Sequence, residues 1–186
     1  MPLLGAHESI SGSPYKALYS AKEKGFDVIQ IFTRLNILLE TTAGQGSSLG
    51  YKFDQLKTII EKSSYRVKMG ICFDTCHAFA AGYDFTSKEG YRQIIENFDN
   101  IIGLEKLKIF HINDSKTKSG SLTDRHAHPG QGCIGSEGLS FFLQDERFNN
   151  HPFIMETSKE LDKDGIEMDV KNLKLLKHLS GMGITE

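Results

Sequence analysis

The chain has 186 residues, and its 22 Lys and Arg against 24 Asp and Glu leave a net charge of −2. That length is enough for one domain with a real core, and the balance gives no global pull toward nucleic acid, so any such contact must rest on a local basic patch. Three cysteines, Cys72, Cys76 and Cys133, are too few for a disulfide scaffold and fit a reducing compartment; no apolar run reaches membrane-spanning length and no signal peptide opens the sequence.

Leu3-Leu4-Gly5-Ala6-His7 reads as a short buried strand ending in His7. Ser13, with Pro14 behind it, starts a helix whose apolar side is Tyr15, Leu18, Ala21 and Phe26. Val28 to Phe32 is a second strand, ending in Thr33, and Ile37-Leu38-Leu39 a third, ending in Glu40. The segment Thr41 to Ser48 is its exit loop; Gly44-Gln45-Gly46 has no Lys to make it a phosphate loop and reads as a tight turn facing the strand ends. Phe53, Leu56, Ile59 and Ile60 line a helix. Val67 to Phe73 is a fourth strand that delivers Asp74 and, three residues later, His77. Thr86 and Glu89 read as a capping box for a helix with Tyr91, Ile94, Ile95, Phe98, Ile101 and Ile102 on one side and Gly103 at its end. Leu107 to Ile112 is a fifth strand carrying His111. A long polar loop follows, and then a short helix with Leu139, Phe142 and Leu143. Phe153-Ile154-Met155 is a sixth strand, ending in Glu156, and Val170, Leu173, Leu176 and Leu179 belong to a closing helix.

Strands alternate with helices, and most strands are apolar throughout. This is the pattern of a parallel sheet covered by helices, an α/β fold. Polar residues mark the carboxyl ends: His7, Glu40, Asp74, His111 and Glu156. In (β/α)8 barrels and open α/β sheets that end is where chemistry takes place. Carboxylates gathered there repel unless a cation sits among them, and a metal cluster is the simplest answer. One joint is anomalous. Only Arg34, Leu35 and Asn36 separate Thr33 from Ile37, whereas a parallel crossover takes about a dozen residues. A TIM-type barrel needs eight strands; about six are legible here, as if a segment were missing between Arg34 and Leu35.

Gly5-Ala6-His7 with Ser9, Ile31-Phe32-Thr33, Glu40 to Gly46, Asp74 to Asp84, His111-Ile112-Asn113-Asp114-Ser115, Asp124-Arg125-His126 and Glu156-Thr157 stand in the order found in endonuclease IV. The chain resembles that family of zinc-dependent apurinic/apyrimidinic endonucleases nearly end to end, with Asp74 to Gly82 its most specific stretch. The resemblance implies a single domain, residues 1–186, built as a (β/α)8 barrel that is incomplete here. It places two absent strands and three absent helices, with two zinc-binding histidines, at the Arg34–Leu35 junction.

Carried over residue by residue, the resemblance assigns one zinc to Glu40, Asp74, His111 and Glu156, and a second to His77, Asp124 and His126. A third would share Glu40 but needs the two missing histidines, so two of the family's three zinc sites are intact. Glu40 and Glu156 would orient the nucleophile that attacks the phosphodiester 5′ to an abasic site in double-stranded DNA, a step of base excision repair. Ser115, Lys116, Lys118 and Ser119 lie on the loop after the fifth strand and read either as phosphate contacts or as part of a solvated turn; His7 would lie beside the metals without ligating. His128, His151 and His178 have no carboxylate partner in sequence and read as structural or surface residues, and Cys72 and Cys76 as packing residues.

Two other readings compete. One is a shortened, inactive relative that binds metal or DNA without cleaving it. The other is a sugar isomerase of the same superfamily, using manganese or magnesium. A barrel short of two strands exposes two sheet edges, so self-association is expected where a complete barrel would be a monomer. The expected setting is intracellular and reducing: cytoplasmic in a bacterium, nuclear or mitochondrial in a eukaryote.

Overall fold

The computed structural model describes residues 2–7, 22–26, 28–30, 37–64 and 68–181, with only the backbone for His7 and 28–30. The helix expected after Ser13, the stretch 31–36 and the side chain of His7 therefore lie outside the described residues.

The main sheet has six strands: β1 (Leu3–His7), β2 (Val28–Gln30), β3 (Ile37–Glu40), β4 (Met69–Asp74), β5 (Leu107–His111) and β8 (Pro152–Met155). Its order is β2-β1-β8-β5-β4-β3, and every pairing is parallel. Each of these strands except β2 therefore lies beside the next one in the chain, and the last lies beside the first. That is the winding of a single barrel, not of a doubly wound sheet, whose order reverses midway. Among the described strands the ring is interrupted at one place, between β2 and β3. The anomalous joint read from the sequence falls at that opening: β2 and β3 follow one another in the chain yet form opposite edges of the sheet. Burial tells the same story. All six residues of β4 are buried between two neighbours, whereas Ile37 and Leu38 of β3 are 47% and 38% exposed.

Among the described residues five complete helices cover the sheet: α1 (Phe53–Lys62), α2 (Thr75–Ala80), α3 (Lys88–Ile101), α4 (Gly135–Leu143) and α5 (Met168–Leu179). Alternation along the strands decides what faces them. Phe73 of β4 packs on Phe98 of α3 and Phe142 of α4, and Phe110 of β5 stacks on Phe153 of β8 with ring centroids 4.6 Å apart. Cys72 and Asp74 alternate with Phe73 and so turn inward.

The capping of α3 differs from the sequence expectation. Ser87 is the cap, its Oγ accepting the Gly90 N–H at 3.2 Å. Thr86 bends back to Asp84 instead, its hydroxyl donating to Oδ1 at 2.7 Å, and Glu89 pairs with Arg92. Both hydroxyls suit a cap; the Asp84 turn claims the first.

The polar loop after β5 hides a ribbon that apolar periodicity could not reveal. Strands β6 (Asp114–Ser115) and β7 (His126–Ala127) pair antiparallel, Ser115 opposite His126. The fully buried Asp114 carboxylate anchors this ribbon by accepting four backbone N–H groups, from Ser115 at 2.7 Å, Gly132 at 2.9 Å, Ile134 at 2.9 Å and Gly135 at 3.1 Å. A Cβ at Gly132 would stand 2.4 Å from Asp114 Oδ1, so only glycine closes the turn. Asp114→Ala leaves four buried donors without their acceptor; it should cost about 3 kcal/mol or more, read as a lowered urea midpoint at unchanged slope. Gly132→Ala should fall in the same direction by a smaller amount.

Candidate metal centre

Four strand ends converge. Glu40 from β3, Asp74 from β4, His111 from β5 and Glu156 following β8 bring their ligand atoms within 4.8 Å of one another. His111 Nδ1 is the centre of this set, 2.9 Å from Glu156 Oε2, 3.2 Å from Glu40 Oε1 and 3.7 Å from Asp74 Oδ2. Beside it, His77, Asp124 and His126 form a second set within the same limit. Asp124 spans both imidazoles, Oδ2 lying 3.2 Å from His77 Nε2 and Oδ1 3.3 Å from His126 Nε2. All seven sequence-assigned metal residues are thus brought together, in the two groups expected.

Local chemistry explains the placement. Asp74 ends β4 and caps α2, its Oδ1 accepting the His77 N–H at 2.8 Å, so one turn of chain sets both residues. Thr41 ties the end of β3 to β4 by accepting the Asp74 N–H at 2.9 Å. Gln45, in the glycine-flanked exit loop, accepts the Asp124 N–H at 3.2 Å, so that loop does face the site.

The tautomers follow from partners that can only accept. His77 Nδ1 lies 2.9 Å from the Thr41 carbonyl and His126 Nδ1 lies 3.0 Å from the Glu156 carbonyl. Both Nδ1 atoms therefore carry protons, and both rings aim Nε2 inward, where the two Nε2 atoms stand 3.2 Å apart. Two lone pairs cannot face each other at that distance without a proton or a metal ion between them. Backbone-oriented imidazoles of this kind are the usual setting of metal-binding histidines.

The charges make the same point. Burial raises the pKa of Glu40, yet hydrogen bonds from His111 and His77 overcome it and hold the carboxyl at about 2. Burial opposes charge on His77, but Asp74, Glu40 and Asp124 lift it to about 10. His111 is also driven above the ordinary imidazole value, burial being outweighed by Cys72, Glu156 and Glu40. Asp74 is fully buried, and there burial prevails, pushing its carboxyl up against the pull of His77, His126 and His111. Without a metal, protons on imidazoles do the work of cations. A divalent ion accepting mixed imidazole and carboxylate donors fits this set on chemistry and on geometry.

Several expectations need correction. Ser115 is fully buried with its hydroxyl donating to the Thr117 carbonyl at 2.9 Å, so the ribbon turns it away from any phosphate. Lys116 and Lys118 are exposed and Ser119 is half-buried. Lys116 lines a cavity of about 270 Å³ with His126, Gln131 and Ser158, next to the second metal set. His128 does have a carboxylate partner, Nε2 lying 3.0 Å from Glu160 Oε1 across a loop that sequence distance conceals. His151 is structural, packed on Phe110 and Phe148, and His178 is exposed. Cys72 and Cys76 are buried, as packing residues would be, but they also line the cage: Cys72 groups with Glu40 and His111, Cys76 with Asp74 and His126. Burial pushes their thiols up to about 11 and about 12, so both are neutral at pH 7 without metal.

Three comparisons bear on what such a cage does. The family model described as xylose isomerase-like TIM barrel matches residues 21–177. "Probable endonuclease 4" of Geotalea daltonii is 53% identical over 143 residues, 77% of this chain and 49% of that protein; the protein of the same name from Geobacter sulfurreducens is 50% identical over the same length. The chain thus spans about half the length of the curated relatives it matches. Among solved structures, endonuclease IV from Thermus thermophilus superposes with a TM-score of 0.67 at 31% identity, covering 96% of this chain and 61% of that one.

Proposed function

We propose, since the chain belongs to the xylose isomerase-like TIM-barrel family and within it to endonuclease IV, that it is a zinc-dependent endonuclease acting on the phosphodiester 5′ to abasic sites in double-stranded DNA. The observation that carries this is the cage itself: Glu40, Asp74, His111 and Glu156 from four strand ends, adjoining His77, Asp124 and His126. Three imidazoles among the ligands favour zinc over the magnesium or manganese of a sugar isomerase. The two sets would hold one zinc each, and the third zinc keeps only Glu40 as a ligand. Bound zinc supplies a nucleophilic water at neutral pH and stabilises charge on the phosphoryl oxygens. Glu40 and Glu156 lie 3.2 and 2.9 Å from His111 Nδ1, where they would orient the attacking water. Lys116, which lines the same cavity as His126, would meet the neighbouring phosphate; Lys118 and Ser119 follow on the same loop. The free cysteines fit an intracellular, reducing setting, which would be the cytoplasm in a bacterium.

The zinc-loaded chain should nick a duplex carrying one tetrahydrofuran residue on its 5′ side and leave a 3′-hydroxyl, and Glu156→Ala should abolish the nick. Incision no greater than that of the variant overturns the reading. Lys116→Ala should weaken DNA binding uniformly across sequences and reduce the slope of log affinity against log salt by about one.

The interrupted ring supports a further part of the proposal. The chain lacks the family's segment between Arg34 and Leu35, and the edges left at β2 and β3 pair with other copies. Sedimentation at rising concentration should show self-association; a concentration-independent monomer would contradict it.

A further inference from the structure

We infer that Asn113 is a positioning residue that sets the distance between two of the metal-binding carboxylates. Its side chain is fully buried and acts in both directions at once. Nδ2–H donates to Asp74 Oδ2 at 2.7 Å, and Oδ1 accepts the backbone N–H of Glu156 at 2.9 Å. Its own backbone N–H is held by Thr75 Oγ1 at 2.9 Å, the residue after Asp74. One amide thus links the end of β4 to the end of β8, two strands that are not neighbours in the sheet and have β5 between them.

The choice of amide matters. Asp74 Oδ2 is the atom that faces both ligand sets, 3.7 Å from His111 Nδ1 and 3.7 Å from His126 Nε2. A donor on it fixes which of its lone pairs remain for a metal, while Oδ1 is already committed to the His77 N–H. Only a group with a donor on one arm and an acceptor on the other satisfies a carboxylate and a peptide N–H together. A carboxylate in this place would still accept from Glu156 but would repel Asp74. An alanine would release both.

The inference rests on the metal reading above, and the test separates the two. Metal binding to the full chain is titrated with zinc against a chromogenic chelator, and Glu156→Ala and Asp124→Ala identify which binding class belongs to which ligand set. Asn113→Ala should weaken the class that Glu156→Ala removes by roughly 10- to 100-fold, the scale of lost partners behind a metal ligand, and the other class by much less. Asn113→Asp, nearly isosteric, should do the same while keeping the wild-type circular dichroism, and should alter the visible spectrum of the cobalt-substituted protein. Affinity and cobalt spectrum unchanged in both variants, or both classes falling together with the fold, would overturn the role. No metal bound by the unsubstituted chain would instead overturn the zinc reading itself.

Discussion

Zinc binding at pH 7 should release about two protons from the chain, roughly one for each ligand set. In the metal-free protein the carboxylates lift His77 to about 10 and drive His111 above its ordinary value, so both are imidazolium at neutral pH. A ring bound to metal must be neutral at the ligating nitrogen, so each zinc displaces the proton that stood in for it. The apparent affinity of each site should then fall about tenfold for every pH unit from 9 down to 6. Calorimetry in buffers of different ionisation enthalpy measures the released protons directly. Release of none would mean that the imidazoles are not ligands.

The same raised values bear on the stability of the metal-free chain. A histidine whose pKa rises on folding contributes stability that is fully present below its ordinary value of 6.5. That contribution is lost as pH rises through the folded value, about 10 for His77. Metal-free protein should therefore melt progressively lower between those two values, while zinc-loaded protein, with no such protons to lose, should hold its melting temperature over the same range.

Much of this cage was legible before any coordinates. Strand ends are easy to read where an apolar run meets an acid or an imidazole, as at Glu40, Asp74, His111 and Glu156, and the parallel sheet follows from strands such as β4 that are apolar on both sides. What the sequence withheld was contact between distant loops. The pairing of Ser115 with His126 depends on a carboxylate, Asp114, gathering backbone groups from residues 132 to 135, and two-residue strands carry no periodicity. Ser115 looked like a phosphate contact because serine in a polar loop usually is exposed; the ribbon buried it. Asn113 stood in a recognised motif, but nothing in its neighbours told which carboxylate and which peptide its amide would join. His128 lacked a partner only because Glu160 comes 32 residues later.

If the proposed function holds, inserting the stretch that the relatives carry between the positions of Arg34 and Leu35 should abolish the self-association proposed for this chain and raise its incision rate. Two effects would act together. The first is closure. Among the described residues β2 and β3 have no strand on their outer sides, and the β3 edge exposes Ile37 and Leu38; two further strands would pair both edges and cover that apolar surface, removing the template proposed for the addition of other copies. The second is chemical. The resemblance places two histidines in that stretch, and with Glu40, shared with the first set, they would complete a third zinc site. The loss of even one partner behind a metal ligand costs 10- to 100-fold in metal affinity or activity, so the return of two ligands and a metal should raise incision by at least roughly a hundredfold. An insertion that yields monomer without faster incision would show that closure alone was restored and that the two zinc sites already present set the rate. An insertion that yields neither would overturn the reading of a missing segment at the β2–β3 opening, the one break in the ring of described strands.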